Sequence, residues 1–121
     1  MDDRTITSDD AIFFMDMVNS AKSPNHVPRF YQVKPYYKIL DDPNSNEFQR
    51  FIKVYNAGIH ILKEREQMIL DDLYGINKPR ITHKKASIPH NITQERVRQI
   101  CYKAELKIVT YLLRQFKGIL K

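Results

Sequence analysis

Apolar residues recur at helical spacing along most of the chain, and no stretch shows the two-residue alternation of a half-buried strand. Ser8-Asp9-Asp10 offers a capping side chain and first-turn acids ahead of Ala11-Ile12-Phe13-Phe14-Met15-Asp16-Met17-Val18, which predicts a first helix over 8–21. Farther on, Phe48, Phe51, Ile52, Tyr55, Ile59, Leu62, Ile69 and Leu73 mark one face of a helical stretch over 46–74. Ser45 or Asn46 can cap its start, Gly58 is a point where it can break in two, and Gly75 suits the left-handed residue that ends many helices.

Thr82 predicts the cap of a short helix over 83–88, limited by Pro89, and Thr93 the cap of a last, long one. Glu95 stands in the first turn of that helix, and Val97, Ile100, Ala104, Ile108, Tyr111 and Leu112 continue one apolar face. A second stripe, Leu106, Val109, Leu113 and Leu120, extended by Phe116 and Ile119, demands burial on more than one side. Either the helices over 8–21 and 46–74 supply that cover, or a second copy of the chain does, which would make a homodimer. Every element is helical, so the expected fold class is all-α.

Between the first two helices the chain carries Pro24, Pro28, Pro35 and Pro43, each of which removes a donor and biases its predecessor away from helix. A long irregular connector is expected there. Its aromatics Phe30, Tyr31, Tyr36 and Tyr37 are expected to dock on the core, with a stacking platform for bases as the alternative use. The 121 residues suffice for one compact domain. Within it, 1–60 is read as a helical segment for core, oligomer or partner contacts, and 61–121 as a functional half continuous with it.

A hydrophobic content of 42% with only three glycines fits a packed, soluble globule rather than a disordered chain. No apolar run approaches the roughly 18 residues that span a bilayer, and Asp2 and Asp3 stand where a secretory leader would be basic. No membrane partner and a cytoplasmic location are therefore expected. Cys101 is the single cysteine, so it cannot form an intrachain disulfide and reads as a small core residue. His26, His60, His83 and His90 lack metal-ligand spacing, no glycine-rich phosphate loop is present, and no nucleophile stands beside an obvious base. The chain is expected not to be an enzyme and to need no cofactor or metal.

Charge changes the picture, because the net +6 is unevenly placed. From Asn77 onward eleven Lys and Arg face only Glu95 and Glu105, a balance of +9, whereas the first 76 residues carry nine bases and twelve acids, or −3. A polyanion would dock at the basic end.

That end also carries a helix-turn-helix spacing. The motif needs a small residue where two helices cross, a residue tolerating positive φ in the turn four positions on, and an apolar residue on the second helix six positions later. Ser87, Asn91 and Val97 satisfy it, with Thr93 as cap and Ile100 as a further apolar anchor.

The run Ile92-Thr93-Gln94-Glu95-Arg96-Val97-Arg98-Gln99-Ile100-Cys101-Tyr102-Lys103-Ala104 resembles region 4 of bacterial sigma factors, in which a Val-Thr-Arg-Glu-Arg-Ile-Arg-Gln-Ile-Glu-Ala-Lys-Ala pattern forms the promoter-reading helix. Upstream, Leu62-Lys63-Glu64-Arg65-Glu66-Gln67-Met68-Ile69-Leu70, ending in Tyr74-Gly75-Ile76, is similar to that family's preceding helix. The two motifs cover about half the chain. His90 replaces an apolar residue, Asn91 a glycine, Ile88-Pro89 falls where the first helix of the motif continues, and Asp71 and Asp72 stand where basic residues are frequent. Nothing in 1–60 resembles the sigma region that melts the promoter. The nearest category is therefore the small sigma-like activators of phage and prophage late genes.

The resemblance implies double-stranded DNA as partner, with Gln94, Glu95, Arg98 and Gln99 reading base edges. Arg98 suits guanine, Gln94 or Gln99 adenine, and Glu95 the amino group of cytosine. Lys84, Lys85, Arg96 and Lys103 flank that surface and suit phosphates, with Lys78 and Arg80 as lesser candidates. The expected function is sequence-specific transcription regulation. Two alternatives stay open: a sigma-like adaptor that binds RNA polymerase or an anti-sigma protein, and a phage DNA-packaging subunit of the small terminase kind.

Overall fold

The computed structural model describes residues 5–26 and 34–117, and its regular elements are all helices. In chain order they are α1 (Ser8–Met17), α2 (Tyr37–Leu40), α3 (Asn46–Gly58), a single 3₁₀ turn (Ile59–Ile61), α4 (Glu64–Tyr74), α5 (His83–Ser87) and α6 (Gln94–Gln115). The all-α class expected from the periodicity is the class found.

Contacts divide the chain into two units, Met1–Ile61 with Ile108–Lys121, and Leu62–Lys107. The division falls inside α6, so residues from Ile108 on group with the N-terminal segment.

In the first unit, α1 starts at Ser8 as expected, but its cap is Thr7 and not the serine. Thr7, in extended conformation, accepts from the Asp10 N–H while the Asp10 carboxylate accepts from the Thr7 N–H, a reciprocal box that satisfies two orphan donors. The helix ends at Met17, short of the expected residue 21, because Asn19 turns left-handed (φ 57°) and the Ser20 N–H reaches back to the Met15 carbonyl. Lys34 then donates to the Val18 carbonyl, placing a cation at the negative end of the dipole.

The core of this unit is aromatic. Phe14 of α1 stacks on Phe51 of α3 at 5.0 Å, and Tyr36 lies tilted against Phe51 at 5.6 Å. Tyr36 is buried and Tyr37 half-buried, so these two aromatics of the proline-rich connector dock as expected, whereas Phe30 and Tyr31 lie outside the described residues. The connector is not wholly irregular, since Tyr37–Leu40 forms the single turn α2 and buries Leu40. Over α1 and α3, Arg50 bonds Asp10 at 2.8 Å and covers the Phe13 ring.

Ser45 caps α3 by accepting from the Phe48 N–H. Gly58 ends α3, and its position is a close approach: a Cβ there would lie 3.1 Å from Ile108 Cγ2. The stretch over 46–74 does divide at this glycine. Of the second apolar stripe, Val109 is buried, Leu113 and Phe116 are half-buried, and Leu106 stays 38% exposed, so the demand for cover does not extend to Leu106. Ile119 and Leu120 lie outside the described residues.

The second unit consists of α4, α5 and the first part of α6. Ile69, Leu70, Leu73 and Tyr74 of α4, Ala86 of α5, and Val97, Ile100, Cys101 and Ala104 of α6 are buried, Cys101 as the small core residue expected of it. Among the described residues no helix is long and apolar enough to cross a membrane.

Candidate nucleic-acid interface

Two caps and one left-handed residue build the turn between α5 and α6. Thr82 accepts from the Lys85 N–H at 3.2 Å and starts α5. Thr93 accepts from the Arg96 N–H at 3.0 Å and starts α6. Asn91 takes φ 52°, as a non-glycine residue in this role must, and the Ile92 N–H donates to the Ser87 carbonyl to close the turn. Ser87 is buried, its hydroxyl donating to the Lys84 carbonyl at 2.6 Å. The helix over 83–88 is shorter than expected: it stops at Ser87, and Ile88, exposed, serves as its C-cap.

Successive helix residues turn by about 100°, so the buried positions Val97, Ile100, Cys101 and Ala104 define the inner face of this part of α6. Glu95 and Gln99 project from the opposite side and Arg98 from its edge, about 60° around the helix from Glu95; all three are exposed. Gln94 is exposed too, but lies on the flank, about 100° around the helix from Glu95. Arg96 and Lys103 share the other flank, and both are exposed, as are Lys84 and Lys85 of α5.

The outward side chains pair with one another. Arg98 Nη2 lies 3.3 Å from Glu95 Oε1, and Arg96 Nη1 lies 3.2 Å from Gln99 Oε1. Such exposed pairs one turn apart contribute about 0.2–0.5 kcal/mol.

Below the turn, α4 is fixed by charge and geometry. Glu66 accepts from the Lys63 N–H at 2.8 Å and both its oxygens lie 2.8 Å from Lys107 Nζ of α6. Burial pushes the Glu66 carboxyl upward, but the Lys107 ammonium and the Lys63 N–H outweigh it and hold the group below its ordinary value. Glu105 is 2% exposed and accepts from the Tyr74 hydroxyl at 2.5 Å. At the other end of α4, Gly75 takes φ 77°, and the N–H groups of Gly75 and Ile76 donate to the Asp71 carbonyl. A Cβ on Gly75 would lie 3.0 Å from the Lys78 carbonyl and the Arg80 nitrogen.

Asp72 has a structural use. Its carboxylate pairs with Lys78 and its carbonyl accepts from the Ile81 N–H, so this acid ties the basic connector to α4. Lys78 is thereby engaged within its own fold, whereas Lys84 and Lys85 are exposed on α5.

Sequence reasoning missed two features of this unit. It counted Glu105 among the charges, although a tyrosine 31 positions away holds it inside. It also passed over Tyr102, which is 63% exposed on the same side of α6 as Glu95 and Gln99. Among the described residues no group of three or more His, Cys, Asp or Glu is placed to hold a metal ion. No family model, no curated protein and no solved structure matches the chain.

Proposed function

We propose that the chain is a sequence-specific DNA-binding transcription regulator, of the kind phages and prophages encode, that enters the major groove with the helix starting at Thr93. One observation carries this reading: Glu95, Arg98 and Gln99 form an exposed polar strip on α6, directly opposite the buried Val97 and Ile100, behind a turn closed by a left-handed Asn91. An α-helix fits the major groove, and these residue types bond base edges there. Lys84, Lys85, Arg96 and Lys103 supply the phosphate contacts that set register, and Gln94 reaches the groove wall from its flank.

The test uses two duplexes, one selected for tight binding and one scrambled, titrated over a range of salt. Arg98→Ala is expected to lose about 1–3 kcal/mol on the selected duplex only, whereas Lys84→Ala weakens both alike and lowers the salt slope by about one. Equal losses on both duplexes for both variants would contradict the assignment.

A second reading is favoured by the exposed apolar side chains Met68 of α4 and Leu106 of α6, at 48% and 38%. In it the chain is a sigma-like adaptor for RNA polymerase or an anti-sigma protein. A polymerase pull-down that survives Arg98→Ala but not Met68→Lys supports the adaptor; no pull-down by the unaltered chain removes it.

A further inference from the structure

The outward strip of α6 does not stop at Glu95, Arg98 and Gln99. At about 100° per residue, Tyr102 falls within about 20° of the direction of Glu95 and between those of Arg98 and Gln99. It is 63% exposed, in a helix whose other exposed positions up to Lys103 are all polar or charged. Burial does not account for so large an aromatic at that position, because the core of this unit is formed from the other face.

The rise of an α-helix carries Tyr102 about 10 Å along the axis from Glu95, and the major groove is about 12 Å wide. A helix whose first turns sit on base edges therefore brings its Tyr102 to the groove rim, where the sugar-phosphate backbone runs. Leu106, a further turn on, lies beyond it. Tyrosine hydroxyls are among the groups that donate to phosphate oxygens in such interfaces. Lys103 is adjacent, on the flank that already carries Arg96.

We infer that Tyr102 is a DNA-contacting residue whose phenol O–H donates to a backbone phosphate at the edge of the groove, clamping the second and third turns of α6 in register. This inference rests on the proposed DNA-reading function. It differs from a lysine contact in one measurable respect: the phenol is uncharged, so its loss releases no counterion advantage and leaves the salt slope alone.

Tyr102→Phe and Tyr102→Ala are to be compared with the unaltered chain and with Lys103→Ala, each first checked for an unchanged thermal midpoint, on selected and scrambled duplexes. Both tyrosine variants are expected to bind about fivefold more weakly to either duplex, the size of one hydrogen bond, with the salt slope unchanged. Lys103→Ala is expected to reduce that slope by about one. If Tyr102→Phe binds like the unaltered chain, the hydroxyl contact is overturned while the DNA-reading function stands. A loss for Tyr102→Ala alone would assign the contact to the ring and likewise overturn it. If the unaltered chain binds neither duplex, the functional reading itself falls.

Discussion

The two units solve the same problem with different materials. The first fills its centre with large rings, Phe14 stacked on Phe51, Tyr36 tilted against Phe51 and Tyr55 wholly buried, and its ion pair Arg50–Asp10 is partly exposed. The second buries one large ring, Tyr74, among aliphatic and small side chains such as Ile69, Leu70, Ala86, Val97 and Cys101, and binds that ring's hydroxyl to the buried Glu105; its ion pair Glu66–Lys107 is about as exposed as Arg50–Asp10. A buried carboxyl group left without a donor costs about 1–3 kcal/mol, so the Tyr74 hydroxyl matters to the second unit beyond the area its ring buries. The polar bonds of the second unit lie between α4 and α6. They hold the inner face of α6 and leave its outer strip to solvent.

The sharpest way to break this contrast is to empty each core in turn. Phe51→Ala removes a wholly buried ring from the first unit and is expected to cost about 3–5 kcal/mol, read from urea unfolding, with amide protection lost in α3. Tyr74→Phe removes only the hydroxyl that serves Glu105. It is expected to cost about 1–3 kcal/mol, because a buried carboxylate loses a donor. Were Tyr74→Phe the milder by far, at a few tenths, the polar bond would be incidental and the contrast would dissolve.

Gly75→Ala comes next. Its φ of 77° and the 3.0 Å approach to Lys78 and Arg80 backbone atoms both oppose a Cβ, so about 1–2 kcal/mol of destabilisation is expected in the same unfolding measurement. The smallest effect is electrostatic and is seen as a pH dependence. Glu66 is held below its ordinary 4.5 in the folded chain, so the stability it contributes is fully present above that value and is lost as the pH falls through the lower folded value. Glu66→Gln is therefore expected to be less stable than the unaltered chain near neutrality, the gap narrowing steadily in unfolding series carried into acid. A gap that widens in acid would show that Glu66 does not act through its charge.

Much of the architecture is legible where one side chain acts on its own neighbours. Ser45, Thr82 and Thr93 cap helices because their hydroxyls reach an N–H three residues on, and Gly75 and Asn91 turn left-handed because few other residues do so without strain. The inward direction of Val97 and Ile100 follows from periodicity alone. What stays hidden depends on distant partners. Glu105 reads as a surface charge until Tyr74 is brought to it, and the early end of α1 depends on Asn19 and on a backbone bond to Met15. Leu106 belongs to an apolar stripe by spacing, yet remains exposed, since periodicity states which residues share a face and not what covers them. Gln94, Glu95, Arg98 and Gln99 are equals in the motif; helix geometry sets Gln94 apart on the flank.

The central claim, that the outer strip of α6 is the surface that meets DNA, is tested most directly by amide chemical-shift mapping of the full chain titrated with a duplex recovered from a random pool. The account predicts shifts concentrated at Lys84, Lys85 and from Gln94 to Lys103, with α3 unmoved. Shifts confined to α1 and α3, or no duplex recovered at all, would contradict it.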